Sequence, residues 1–252
     1  MSILVVIPAR FQSTRFPGKP LADLDGSPLI EHVWRRCCRA VNATDVVVAT
    51  DDQRIAHVAH NFGAIVEMTS SECLTGTDRV AEVATRHCAD WYVNVQGDEP
   101  FVDPAAIQKV FEAARTAKED VAAFNTMSAI TEESEFRSET VPKPVTDLQG
   151  RLLYMSRAAI PTDKRLGFQK AFRQVGLYAF RRSVLDLYRP DARKSPLEEI
   201  EDIEILRILE AGLVVQMIET PPSGIAVDTP ADLSRAREYL DTRAGFGSRT
   251  QR

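Results

Sequence analysis

Five short apolar runs rich in β-branched residues punctuate the first half of the chain, each followed by a stretch with helical spacing. The runs are ILVVI at 3–7, DVVVAT at 45–50, AIVEM at 64–68, WYVNV at 91–95 and VAAFNTM at 121–127. Their near-continuous apolar character fits strands buried on both faces, which strands connected by helical crossovers require. The intervening patterns predict helices near 28–41, 52–61, 78–87 and 104–118, the last opened by Asp103 as N-cap and Pro104 in the first turn. The fold class expected is therefore α/β, a mostly parallel sheet flanked by helices.

Past residue 130 the pattern changes. RLLYMSR at 151–157 and QVGLYAFR at 174–181 read as strands with no long helix between them, so 130–189 is expected to be an inserted, β-rich subdomain. The α/β body then comprises 1–129 and 190–242, with a helix at 197–211, a strand at 213–218 and a helix at 230–241, and 243–252 reads as a flexible tail. On the 197–211 helix, Leu197, Ile200, Ile203, Ile208 and Ala211 share one arc with Glu204 and Arg207. Those charges need partners: either each other at i,i+3, or a ligand facing Glu204.

Ligands of open parallel sheets bind beyond the carboxyl ends of the strands. The loop after the first run, IPARFQSTRFPGKPL at 7–21, carries Arg10, Arg15 and Lys19 with no acid, in a chain whose net charge is −5. Its Gly and Pro residues resist helix, and its cations and Ser13 suit a polyphosphate. Neither a Walker A loop nor a dinucleotide fingerprint occurs, which argues against P-loop hydrolysis and NAD chemistry. After the fourth run, NVQGDEP brings Gln96, Asp98 and Glu99 around Gly97. A carboxylate beside phosphates implies a bridging Mg²⁺. Asp228, in AVDTPADL, is either a second such acid or simply a helix cap.

Global composition narrows the partners. A net acidic chain lacks the basic face of a general nucleic-acid binder, and no apolar stretch approaches the roughly 20 residues of a membrane span. Cys37, Cys38, Cys73 and Cys88 form no C-x-x-C pair, so reduced thiols and a cytoplasmic location are expected.

IPARFQSTRFPGKPL, VATDD, GTDRVAEVA, NVQGDEP, YMSRAAIP, GLYAFR, SPLEEIEDIEILR and VDTPADL stand in an order and spacing that resemble the 3-deoxy-manno-octulosonate cytidylyltransferases, or CMP-Kdo synthetases, over roughly residues 1–240. The resemblance implies a Mg²⁺-dependent reaction of CTP with the sugar acid Kdo to give CMP-Kdo and pyrophosphate, for lipopolysaccharide or capsule assembly. It implies a homodimer joined through the β subdomain. It assigns Arg10, Ser13, Arg15, Lys19 and Arg79 to the nucleotide, Asp98 and Asp228 to the metal, and Gln96, Arg157, Tyr178 and Glu204 to the sugar acid, with Lys19, Asp98 and Asp228 catalytic.

Two positions depart from the family pattern. Gln174 stands where the family has His in H-x-G-[IL]-Y, and Ile205 where it has Gln in L-E-Q-L-R. Both are expected at the sugar, so a cytidylyltransferase for a different or modified sugar acid is the nearest alternative. A non-catalytic nucleotide-binding regulatory protein is the alternative of another class.

Overall fold

The computed structural model describes residues 1–189, 192–222 and 224–247, with side chains through 242. In chain order it contains β1 (Ile3–Ala9), β2 (Asp23–Leu24), β3 (Ser27–Pro28), α1 (Leu29–Ala40), β4 (Val46–Thr50), α2 (Gln53–Asn61), β5 (Ile65–Met68), α3 (Gly76–Ala84), β6 (Trp91–Val95) and α4 (Pro104–Arg115). There follow β7 (Val121–Ala129), α5 (Glu133–Arg137), β8 (Lys143–Thr146), β9 (Leu152–Ser156), β10 (Phe172–Arg181), α6 (Pro196–Glu201), α7 (Leu206–Glu210), β11 (Val214–Glu219) and α8 (Pro230–Gly247).

Seven strands form the main sheet in the order β11-β7-β10-β6-β1-β4-β5. All neighbours run parallel except β10, which lies antiparallel between β6 and β7. The period of two along β1 separates the two cores: Val5, Ile7 and Ala9 face α1, α4 and α8, whereas Val6 faces the α3 layer. Central strands are thus apolar on both sides, as the uninterrupted runs predict. Helix ends follow the expected chemistry. Asp103 accepts the Ala105 N–H at 2.9 Å above α4, and Thr75 and Asp78 form a reciprocal capping box on α3.

Three expectations change. QVGLYAFR does not stay with the insertion, because β10 threads into the main sheet, where Leu177, Ala179 and Phe180 are buried. Of the strands in 130–189, β8 and β9 form a separate two-stranded sheet, as β2 and β3 do earlier in the chain. The expected 197–211 helix is two short helices, with Asp202 between them in the left-handed region at φ 51° and its N–H on the Glu198 carbonyl at 2.8 Å. This break turns Ile200 outward, 78% exposed, while Ile203, Ile205, Leu206 and Ile208 are buried. Arg207 consequently pairs with Glu198 through two bonds of 2.5 and 2.7 Å rather than with Glu204. At the other end, α8 continues to Gly247, into the stretch expected to be a tail, and 248–252 lie outside the described residues.

The buried Glu198–Arg207 pair yields a test of the broken helix. Glu198→Ala leaves the guanidinium buried without its bidentate partner, which costs about 3–5 kcal/mol. Urea unfolding is expected to show that loss, and a change below about 1 kcal/mol, the value of an exposed pair, contradicts the buried arrangement.

Candidate active site

The loop after β1 is closed by one main-chain bond, Gly18 N–H to the Phe11 carbonyl at 2.8 Å. Gly18 has φ 72°, and a side chain there would begin 3.2 Å from the Phe11 ring, so both the turn and the close approach call for glycine. Phe11 in turn lies under the Arg54 guanidinium, 3.3 Å from the ring centroid. The closed loop sets Arg10, Ser13 and Arg15 along one wall of a cleft and returns Lys19 to its floor.

The opposite components arrive from β6 and from the segment before α8. Gly97 brings the β6 loop so near β1 that a Cβ would stand 2.6 Å from the Pro8 carbonyl oxygen. Directly beyond it, the Asp98 carbonyl accepts the Val227 N–H at 2.9 Å. That bond sets Asp98 beside Asp228, although 130 positions separate them in the chain. The Lys19 ammonium donates to both carboxylates, at 2.9 Å to Asp98 and 3.2 Å to Asp228, and Arg15 donates to Asp228 at 3.3 Å. Lys19 is 14% exposed in its side chain. Burial pulls its pKa down, but the charges of Asp98 and Asp228 outweigh burial and hold it above the ordinary lysine value.

The capping alternative for Asp228 finds its answer in the next turn. Asp232 accepts the N–H groups of Asp228 and Thr229 at 3.1 and 2.8 Å, and the Thr229 hydroxyl accepts the Asp232 N–H at 3.3 Å. Thr229 and Asp232 therefore cap α8, which leaves the Asp228 carboxylate to face the cleft.

Gln96, Glu204 and Arg79 also line the cleft. Gln96 is wedged between Gly76 and Gly176, and its N–H donates to the Gly176 carbonyl at 3.0 Å. Glu204 spends its carboxylate on the N-terminus of α3: it accepts from Gly76 N at 3.3 Å, Thr77 N at 3.1 Å and the Thr77 hydroxyl. Burial raises its pKa despite those bonds. Of the two roles open to it from the sequence, it takes neither in full, being a cleft wall that anchors a helix. Arg79 is only 2% exposed and is bound to Asp51 at 3.1 Å, to the Ser70 carbonyl and to Thr69. Behind Asp98, burial first and the Asp98 charge second push the Glu99 carboxyl up to about 7.

The remaining sequence candidates lie off this cleft. Tyr178 is packed against Phe180 in the core under α3, and Ile205 is buried in the same core. Gln174 lines a neighbouring cleft that shares Arg15 and Asp228, and its amide donates to Asn125 at 2.9 Å. Arg157 donates from each guanidinium nitrogen to a main-chain carbonyl, at 2.6 Å to Glu201, 3.0 Å to Asp202 and 3.2 Å to Glu139. Two charged lining residues escaped the sequence reading, Lys194 and Asp202, which pair at 2.8 Å. Their one signal was the capping box formed by Ser195 and Glu198 immediately after Lys194.

Removing the cap that frees Asp228 is a second test. Asp232→Ala is expected to cost about 1 kcal/mol in urea unfolding and to let Asp228 turn toward the helix. An unchanged stability would mean that Asp232 does not carry the cap.

Residues 4–218 match the family profile described as Cytidylyltransferase. The 3-deoxy-manno-octulosonate cytidylyltransferase of Geobacter sulfurreducens is 45% identical over 254 residues, covering 95% of this chain and 100% of that protein. The protein of the same name in Myxococcus xanthus is 43% identical over 244 residues, covering 96% and 98%. Among solved structures, a CMP:2-keto-3-deoxy-manno-octonic acid synthetase complexed with CTP superposes with a TM-score of 0.89 at 34% identity, over 96% of this chain and 100% of that one. A cytidylyltransferase from Leptospira borgpetersenii, at 16% identity and a TM-score of 0.63 over 94% and 85%, shares the fold. With matches of this identity running over nearly its whole length, the chain belongs to the family of 3-deoxy-manno-octulosonate cytidylyltransferases.

Proposed function

We propose that the chain catalyses the reaction of CTP with 3-deoxy-D-manno-octulosonate to give CMP-Kdo and pyrophosphate, for lipopolysaccharide or capsule assembly. The observation that carries the reading is the convergence of Asp98 and Asp228 on Lys19 at the foot of a loop bearing Arg10 and Arg15. A regulatory nucleotide binder would have no need for two acids beside a phosphate loop. The departures at Gln174 and Ile205 lend little to a changed acceptor, since Ile205 is core and Gln174 is bound to Asn125.

In the reaction the anomeric hydroxyl of the sugar acid attacks the α-phosphorus of CTP in line with the departing pyrophosphate. A new oxygen–phosphorus bond forms, the bond to the β-phosphate oxygen breaks, and the hydroxyl proton is released. Arg10, Arg15 and Lys19 hold the triphosphate and neutralise charge on the leaving group. When phosphate oxygens enter, Lys19 and Arg15 exchange carboxylate partners for phosphate partners, and Asp98 and Asp228 are released from them. Those two hard oxygen donors already share one cation, which is the donor set a Mg²⁺ completes with phosphates and water. Asp98 and Asp228 would hold Mg²⁺, which supplies charge neutralisation at the α-phosphate and acidifies the attacking hydroxyl. Gln96 lines the same cleft, which supports a contact with the acceptor, and Arg79 fixes α3 through Asp51.

The reading extends to assembly and location. Leu148 and Leu153 are exposed on the β8–β9 hairpin and Leu166 in the segment after it, and these apolar side chains support a homodimer joined through this region. No described helix is long and apolar enough to cross a membrane. Cys37, Cys38, Cys73 and Cys88 are free thiols, which suits a reducing cytoplasm.

Pyrophosphate release with CTP, Mg²⁺ and Kdo tests the whole reading. Asp98→Asn is expected to reduce kcat by about 100-fold or more while circular dichroism stays unchanged. Lys19→Ala is expected to fall comparably, with EDTA abolishing the wild-type rate. Near-normal turnover in either variant contradicts the assignment.

A further inference from the structure

The acceptor is a carboxylic acid, and a carboxylate brought into a partly dry cleft needs a cation. The cleft's cations divide by origin. Arg10, Arg15 and Lys19 come from the loop after β1 and serve the triphosphate in the reading above, and Arg79 is buried against Asp51. Among the described residues, Lys194 is the cation that lines the cleft with an ion pair to Asp202, near Glu204, whereas Arg10 reaches Asp202 through its charge only. Arg157 carries a second positive charge on that side, but all three of its guanidinium nitrogens are bound to the carbonyls of Glu139, Glu201 and Asp202. It holds the left-handed turn at Asp202 in shape and lies outside the cleft lining.

The structure assigns Lys194, we infer, as the residue that binds the carboxylate of the sugar acid, with Asp202 as its holding partner when no acceptor is present. The inference rests on the function proposed above and adds a substrate contact to it. Its geometry has three parts. Lys194 is 26% exposed in its side chain, so its ammonium is shielded yet reachable. Its carboxylate partner, Asp202, is 74% exposed and hence a weak competitor, because a solvated aspartate loses little on release. The main chain on both sides of the pair is fixed, by the Ser195–Glu198 capping box on one side and by Arg157 on the other. The hydrogen bond to the Asp202 carboxylate raises the Lys194 pKa, so the side chain meets an incoming anion as a cation. The exchange parallels that at Lys19: a carboxylate of the protein holds the ammonium until a carboxylate or phosphate of the substrate replaces it.

Steady-state kinetics of Lys194→Met, Lys194→Arg and the wild type, with CTP and Kdo varied separately, test the assignment. Loss of a charge-assisted contact is expected to raise the KM for Kdo about 10- to 100-fold. The KM for CTP is expected to stay within about twofold, because Lys194 touches no phosphate in this assignment. Lys194→Arg keeps the charge and is expected to recover most of the affinity. In addition, the rise of the Kdo KM with added salt is expected to flatten in Lys194→Met. Equal effects on both substrates, or no effect on either in an active enzyme with wild-type melting temperature, overturn the assignment. A wild-type enzyme that releases no pyrophosphate from CTP and Kdo instead overturns the reading beneath it, and the assignment falls with it.

Discussion

One ammonium group holding two carboxylates sets the character of the site. Asp98 and Asp228 come from distant parts of the chain, and side by side they repel each other in a partly dewatered cleft. Lys19 meets both within 3.2 Å and is itself shielded from solvent, so its charge and those of the two acids offset one another. The site is in effect charge-balanced before any substrate arrives. In the proposed reading a triphosphate would take the cationic side chains and a divalent cation the acids, each supplying the partner that the other removes. Either one alone would leave charge unpaired.

The fold makes this meeting precise by close backbone contact rather than by side-chain packing. Gly97 against the Pro8 carbonyl joins the ends of β1 and β6, and Val227 N–H on the Asp98 carbonyl joins β6 to the start of α8. Gly18 lets the phosphate loop fold back on Phe11 and deliver Lys19. Thr229 and Asp232 absorb the capping duty at α8 that Asp228 would otherwise perform. The same economy recurs on the far wall, where Glu204 anchors the N-terminus of α3 and Arg157 braces the turn that presents Asp202.

Much of this was legible in the residues. Strands that are buried on both faces advertise themselves as uninterrupted Val and Ile runs, and β1, β4, β6 and β7 were found that way. An acid-free loop at a strand's carboxyl end, with Arg10, Arg15 and Lys19, pointed to the phosphate side of the cleft. What escaped notice depends on tertiary contact. No Gly or Pro marks the break at Asp202, and a helix-length apolar pattern hides it, because the buried Glu198–Arg207 pair and the core beneath Ile203 and Ile205 decide the local backbone. The strand order is equally silent in the sequence: that β10 threads between β6 and β7 follows from long-range pairing. Whether Asp228 caps a helix or faces a ligand was undecidable until Asp232 was seen to take the cap.

The most direct measurement of the central claim is a double-mutant cycle between Lys19 and Asp98 in the ligand-free protein, read by urea unfolding. Lys19→Met leaves Asp98 and Asp228 opposed, so adding Asp98→Asn to it is expected to restore part of the lost stability, with a coupling of about 1–3 kcal/mol. Effects that add to within about 0.5 kcal/mol would show that the three charges do not depend on one another, and the account of the site would fail.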